Sequence, residues 1–297
     1  MRDPDCVAFL QWALPRLRLR WPGFRKVRRQ VCKRLERRLR ELGLAHISEY
    51  RAYLEAHADE WGRLDQLCSI SISRFYRDRA VFQCLEREVL PRLAQIAGAA
   101  GEREMRCWSI GCAAGEEVYT LAIVWKLGVA PHFPSLGIRI LATDVDPHAI
   151  ERAREGRYGA SSVKDLPREW LEAAFLQLPG GFSLNPEFRE PVTFLQQDIR
   201  EAAPAETFHC ICSRYLAFTY FEEGLQREAL DKIRDRLVPG GALVIGRRES
   251  LPGGVFGLDA WAPRLGVYRR SSASSPLPSP PAATHQGEGS TPDNRPR

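Results

Sequence analysis

Hydrophobic positions recur with two different periods along this chain, and the change of period divides it. In the first hundred residues the spacing is helical. Val27, Val31, Leu35, Leu39 and Leu42 follow i, i+4 steps closed by one of i+3, which predicts an amphipathic helix from about Phe24 to Leu42 with Gly43 as its stop. Further helices are expected at about 5–14, 48–58 and 78–96. From about 103 onward, short β-type runs alternate with helical stretches. Arg106 to Ile110, Ile138 to Thr143, Phe208 to Ser213 and Ala242 to Gly246 read as strands. Helices are expected at about 115–127, from Pro147, where proline favours a helix start, and at about 224–237. Phe182-Ser183-Leu184 and Val192 to Leu195, with Asn185-Pro186 between them, read as a β-hairpin. Alternating strands and helices predict an α/β fold with a mainly parallel, doubly wound sheet. No internal repeat is visible.

Composition sharpens this picture at the ends of the chain. With 27% charged and 44% hydrophobic residues in 297, the balance is that of a globular protein, not of a collagen, a rod or a disordered chain. No apolar run approaches the ~18 residues of a membrane span, and Met1 to Asp5 begin no signal peptide, so a cytoplasmic protein is expected. Three zones are expected: a basic helical region 1–97, an α/β region 98–270, and a tail 271–297. The tail is rich in Ser and Pro, has almost no core-forming side chains, and is expected to be disordered.

Charge is concentrated at one end. The net charge is +6, yet residues 1–44 carry 13 Lys/Arg against 4 Asp/Glu, leaving the remainder slightly acidic. Such a segment suits steering toward an acidic protein partner or a phosphate backbone, and also fits a solvated helix face that does neither. Few aromatics interleave (Trp21, Phe24), which weakens the nucleic-acid reading. The eight cysteines show no C-x-x-C pair, and the six histidines are scattered, so no metal site is expected. The cysteines read as buried free thiols of a reducing compartment, Cys210 and Cys212 sharing one strand face.

The sharpest segment is Trp108 to Glu117, a strand running through Gly111-Cys112-Ala113-Ala114-Gly115 into a helix. Glycines there let a backbone pass close to a ligand, although the same turn fits a plain strand–helix connection. The next strand ends at Asp144-Val145-Asp146. An acid at that tip can take both ribose hydroxyls of a nucleoside; the other would cap the helix from Pro147, and the ribose is assigned to Asp144. Asp198, after the run Val192 to Gln197, can accept an adenine amino group, or is an ordinary loop aspartate. The turn has neither G-x-G-x-x-G nor P-loop spacing. Glu116 and Glu117 would repel a pyrophosphate but tolerate a sulfonium and an amino group, which suits S-adenosyl-L-methionine.

At this point the sequence resembles the CheR-type methyltransferases, which methylate glutamates of bacterial chemotaxis receptors. Ser109 to Thr120 resembles that family's S-x-G-C-x-x-G-E-E-x-Y-[ST] turn, and Ile70 to Asp78 its T-N-x-T-x-F-F-R-D block. Ala142 to Asp146, Phe208 to Phe221 and Gly240 to Leu251 are similar to A-[ST]-D-I-D, F-D-x-I-x-C-R-N-x-x-x-Y-F and G-G-x-L-x-x-G-H-S-E-S-L. The match covers roughly residues 5–270, in order.

The resemblance implies a Rossmann-like S-adenosylmethionine-dependent methyltransferase sheet with a small all-helical N-terminal domain and a short β-hairpin insertion. It implies catalytic roles for Arg77 and Tyr220. It implies cofactor contacts from Ser71, Ser73, Arg77, Gly111, Gly115, Glu117, Asp144, Asp198, Ile199, Arg214 and Tyr215. Glu117 would hold the methionine end, Asp144 the ribose, and Asp198-Ile199 the adenine. The implied partner is an acidic, helical, receptor-like protein met by the basic helix 24–42, with the chain acting as a monomer.

The departures are Tyr215 for Asn, Ser213 for Cys, His209 for Asp and Arg247-Arg248 for His-Ser, with one extra residue before Tyr220. Tyr215 puts a bulky phenol beside the cofactor pocket. Two other readings stand beside protein-glutamate methylation. One is a methyltransferase for RNA or a small molecule. The other is a non-catalytic binding module that keeps the fold.

Overall fold

The structure, a computed structural model, describes residues 2–271. Apart from Ser271, the tail expected to be disordered lies outside them.

Five helices open the chain: α1 Asp3–Ala13, α2 Trp21–Phe24, α3 Arg28–Glu41, α4 Ile47–Ala56 and α5 Glu60–Cys68. The predicted helix 24–42 is therefore broken. Its apolar stripe Val31, Leu35 and Leu39 is buried along α3, while α2 is a separate turn. α2 is seated on the 217–220 segment, where a Cβ at Gly23 would lie 2.3 Å from the Thr219 carbonyl oxygen. α5 was not anticipated. Cys6 on α1 and Cys32 on α3 form a disulfide, with their Cα atoms 6.1 Å apart. That corrects the reading of eight free thiols: helix packing brings together two cysteines 26 residues apart in sequence. The other six are free.

The main sheet has seven strands: β1 Glu104–Ile110, β2 Gly137–Asp144, β6 Val192–Gln196, β7 Phe208–Ser213, β8 Leu237–Ile245, β9 Leu258–Ala262 and β10 Val267–Arg270, in the order β6-β2-β1-β7-β8-β10-β9. The first five are parallel; β10 runs antiparallel to β8, and β9 antiparallel to β10. A second sheet joins β3 Arg157–Tyr158, β5 Gly181–Leu184 and β4 Phe175–Leu178. This overturns the predicted hairpin. β5 pairs with β4, whereas Val192 to Gln196 pairs in parallel with β2. Both runs have strand character, but sequence spacing carries no information on which partner each finds.

Alternation along the strands gives the sheet two apolar faces. Cys107, Ile140, Cys210, Cys212 and Val244 face one core, shared with helices Arg79–Cys84, Leu90–Ala99 and Glu116–Ile123. Trp108, Leu141, Ile211, Leu243 and Ile245 face the other, which is continuous with α1, α3, α4 and α5. Residues 79–99, grouped in sequence with the N-terminal helices, thus pack on the opposite face of the sheet. The strand order reverses between β1 and β7, and ligands of such sheets bind outside the carboxyl ends at that point.

Candidate functional site

The β1–helix turn is held against β2, since Gly111 and Cys112 both donate N–H bonds to the Thr143 carbonyl, at 2.8 and 3.0 Å. Gly111 (φ +72°), Ala113 (φ +50°) and Gly115 (φ +88°) bend it through the left-handed region. At Gly111 a Cβ would also press on the Leu216 side chain, 2.8 Å from its Cδ2.

Of the two acids at the tip of β2, Asp146 is the helix cap, which leaves Asp144 facing the turn. Asp146 caps the helix Pro147–Glu155 by accepting the His148 N–H at 2.9 Å. Asp144 is buried at the tip of β2 and accepts the Ala113 N–H at 2.8 Å and the Asp146 N–H at 2.9 Å. Burial pushes its carboxyl above the usual carboxylate value, and those N–H groups oppose the shift. Each oxygen keeps acceptor capacity for a diol.

Glu117 accepts from Ser109 Oγ at 3.0 Å and from Arg214 Nη1 at 2.9 Å. Arg214 is buried and also donates to Asp78 Oδ2 (2.8 Å) and the Arg77 carbonyl (2.9 Å). Burial opposes its charge, but Glu117 and Asp78 outweigh that, and its pKa stays above the ordinary value. One guanidinium thus joins the helix after the Gly-rich turn to the loop that carries Arg77. The Arg77 guanidinium lies 4.0 Å from the centre of the Tyr215 ring and donates to the Ile72 carbonyl at 2.7 Å.

Tyr215 donates its hydroxyl to Asp78 Oδ2 at 2.6 Å and its N–H to Glu249 Oε2 at 2.8 Å. Glu249 also accepts from Thr219 Oγ1 (2.5 Å) and the Gly246 N–H (2.6 Å), which ties Tyr215 to the segment bearing Tyr220. The Tyr220 ring packs 5.0 Å from Phe24 of α2. Burial first, with the Asp78 bond for Tyr215, pushes the phenols of both Tyr215 and Tyr220 up to about 12. Both are therefore protonated at neutral pH.

Other expected residues are less central. The Ser73 hydroxyl bonds to Glu116, whereas Ser71 is exposed. Ile199 is buried in the second core. Asp198 accepts the Arg200 N–H and Nε–H, both at 2.8 Å, and Arg200 forks onto Asp65 of α5 at 3.0 and 2.5 Å. This ties the expected adenine loop to the helical region. Replacing Asp65 with Ala is expected to weaken S-adenosylhomocysteine binding by roughly fivefold, about 1 kcal/mol, without unfolding the protein. Calorimetry of the variant checks this, and an unchanged Kd would show the loop to be set without its tie to Asp65. Asp78 and Glu249 were not singled out from sequence, although both lie inside the motif blocks quoted for it.

Among the described residues, Glu116 Oε2, Gln197 Oε1, Ser213 Oγ and Arg214 Nε are buried and find no hydrogen-bond partner. All four lie on segments at the carboxyl ends of β1, β6 and β7. Unsatisfied buried polar atoms are costly, so their recurrence on these strand ends fits a polar ligand there. Carboxylates at the β2 tip and after the turn, a left-handed turn and orphaned polar atoms together fit S-adenosylmethionine.

Comparison with known proteins agrees with this arrangement. The family described as CheR methyltransferase, SAM binding domain, matches residues 71–257, and its all-alpha domain matches residues 26–65. A chemotaxis protein methyltransferase of Listeria innocua is 31% identical over 186 residues, 62% of this chain and 67% of that protein. Chemotaxis protein methyltransferase 2 of Vibrio cholerae is 27% identical over 254 residues, covering 82% and 86%. An uncharacterized 104.1 kDa protein of Rhodobacter capsulatus is 31% identical over 223 residues, 74% of this chain but 23% of that protein's length. With the family match spanning the turn, the β2 acid and the Arg214 segment alike, the chain belongs to the CheR methyltransferase family.

Proposed function

We propose that this protein is an S-adenosylmethionine-dependent O-methyltransferase that forms methyl esters on glutamate side chains of an acidic, helical, receptor-like protein. The observation that carries the reading is the Arg214 junction, which couples Glu117 on the cofactor side to Asp78 and Arg77 on the acceptor side. When bound, S-adenosylmethionine supplies an electrophilic methyl group on a sulfonium. Glu117 would hold its amino-acid end, Asp144 its ribose, and Asp198 its adenine amino group.

The remaining work falls to Arg77 and Tyr220. A glutamate acceptor, with a reference pKa of about 4.3, is already ionised at neutral pH and needs no base. Consistent with that, both tyrosines near Arg77 keep their protons. Arg77 orients the acceptor carboxylate through its fork, and Tyr220 offers a hydrogen bond beside it. Orientation of this kind supplies a large share of a barrier reduction, up to roughly 7–11 kcal/mol.

The basic segment contributes less charge than its sequence suggests. Arg28 pairs with Asp3, Arg38 with Glu60, and Arg34 with the Leu67 and Ser69 carbonyls. Arg25, Lys26, Arg29, Lys33, Arg37 and Arg40 are exposed. This exposed charge begins next to Phe24, which packs on Tyr220, so an acidic partner drawn to it arrives at the acceptor side. Among the described residues no helix is long and apolar enough to cross a membrane.

The test is transfer of radiolabelled methyl from S-adenosylmethionine to a purified chemoreceptor cytoplasmic fragment, followed by alkali. Esters release methanol and methylamines do not. Arg77→Ala is expected to lower kcat/KM on the order of 100-fold while still binding S-adenosylhomocysteine. Alkali-stable label would move the reading to a nitrogen acceptor. No label despite cofactor binding would remove the glutamate assignment.

A further inference from the structure

We propose that Tyr215 is a positioning residue that presents Arg77 to the acceptor carboxylate: its ring holds the guanidinium without neutralising it. The proposal rests on the acceptor reading above and concerns how this chain builds that site. Among the described residues no carboxylate lies within ion-pair distance of Arg77; its guanidinium bonds to the Ile72 carbonyl and lies over the Tyr215 ring, and its charge is also felt by the Tyr220 phenol. A guanidinium held on an aromatic face keeps its charge and fork for another anion, whereas one held by a carboxylate does not.

The neighbouring anion is also accounted for. Asp78 follows Arg77 directly in sequence. Its Oδ2 is taken by the Tyr215 hydroxyl (2.6 Å) and by Arg214 (2.8 Å). The same tyrosine side chain therefore stacks Arg77 and occupies the carboxylate next to it.

The backbone shows that this arrangement is imposed. Tyr76 (φ +56°), Asp78 (φ +61°) and Tyr215 (φ +57°) all lie in the left-handed region, so strained residues flank Arg77 on both sides and carry its partner. A bulky aromatic is an uncommon occupant of that region, where glycine and asparagine are at ease, and such strain persists only where surrounding contacts over-determine it. The contacts are visible. Glu249 accepts the Tyr215 N–H, and Gly246 leaves room for the ring, since a Cβ there would come within 2.7 Å of the Tyr215 Cε1. At this position, then, stability and function pull in opposite directions, which makes the proposal testable.

The experiment compares Tyr215→Phe, Tyr215→Leu and Tyr215→Asn for thermal stability, S-adenosylhomocysteine affinity, and kcat and KM with the chemoreceptor fragment. The Asn variant relieves the backbone strain, and its Tm is expected to equal or exceed that of the wild type. The Phe variant keeps the ring but loses the hydroxyl on Asp78, which Arg214 still holds, so its acceptor KM is expected to rise only about threefold, while Leu and Asn, which lose the ring as well, raise it about tenfold or more. Because the hydroxyl, N–H and ring of Tyr215 are directed to Asp78, Glu249 and Arg77, affinity for S-adenosylhomocysteine is expected to change less than the acceptor KM in Leu and Asn.

NMR of the Arg77 Nε–H, assigned with Arg77→Lys, reports the stack without turnover. Its ring-current shift is expected in the wild type and Phe variant and absent in Leu and Asn. An acceptor KM unchanged in Leu and Asn, or equal loss of cofactor affinity in all variants, would overturn the proposal. So would absence of the shift in the wild type. If the wild type binds S-adenosylhomocysteine and shows the shift but methylates no glutamate, the acceptor reading fails while the stack stands.

Discussion

Arg214→Ala is expected to lower unfolding stability by about 3–5 kcal/mol, because it removes one partner of a buried charge network and strands the others. The side chains of Arg214, Glu117 and Asp78 are 2%, 16% and 24% exposed, so water offers the orphaned carboxylates little help. The guanidinium also fills space 5.1 Å from the Phe82 ring, so alanine leaves a gap as well as two unpaired anions. Binding of S-adenosylhomocysteine should be lost with it, since Glu117 would keep only the Ser109 hydroxyl to orient it. Arg214→Lys separates charge from geometry. A lysine restores one positive charge but cannot fork among Glu117, Asp78 and the Arg77 carbonyl, so it should recover part of the stability and little of the binding. Urea denaturation with calorimetry on the three proteins checks both statements. A stability loss under about 1 kcal/mol in the alanine variant would mean that the network contributes no more than an exposed ion pair.

What could be read in advance follows from how local each signal is. Period and turn chemistry are local, so the apolar stripe of α3, the four strands chosen from short β-type runs and the helix start at Pro147 were legible. Asp146 was legible as the cap because capping depends on a residue's distance from a helix start. Pairing is not local. Val192 to Gln196 finds β2 across the sheet rather than the adjacent β5, and nothing in its own residues says so. The disulfide is likewise a consequence of α1 lying on α3. Asp78 and Glu249 lie in segments that resemble the family, but their importance comes from what they hold: Arg214 and Tyr215 for one, Tyr215 and Thr219 for the other. The Tyr215 substitution was legible as a bulky phenol near the pocket. That the phenol turns to Asp78 and the ring to Arg77 required coordinates.

Asp144→Ala is expected to abolish measurable S-adenosylhomocysteine binding while leaving the protein folded. The carboxylate does two things at once. It fixes the left-handed Ala113 through its N–H, and it keeps acceptor capacity for a ribose diol. Losing charge-assisted bonds to a ligand costs about 1.5–3 kcal/mol each, so two hydroxyls correspond to a Kd increase on the order of 100-fold or more. The sign for the fold is different. Burial raises the Asp144 pKa above its ordinary value, so the ionised form is disfavoured in the folded protein relative to the unfolded chain. The folded state then binds more protons over the interval between the two pKa values, and this group's contribution to apo stability falls as pH rises through it. Removing the carboxylate thus relieves a desolvation cost while freeing two N–H groups, and the net change in stability is small compared with the loss of binding. Ligand affinity runs the other way with pH, because the diol requires the carboxylate: binding should weaken on acidification through a midpoint above the ordinary aspartate value of 3.8. Calorimetry of wild type and Asp144→Asn across that range tests it. A wild-type affinity that is flat with pH, or an asparagine variant that binds as the wild type does, would place the ribose elsewhere.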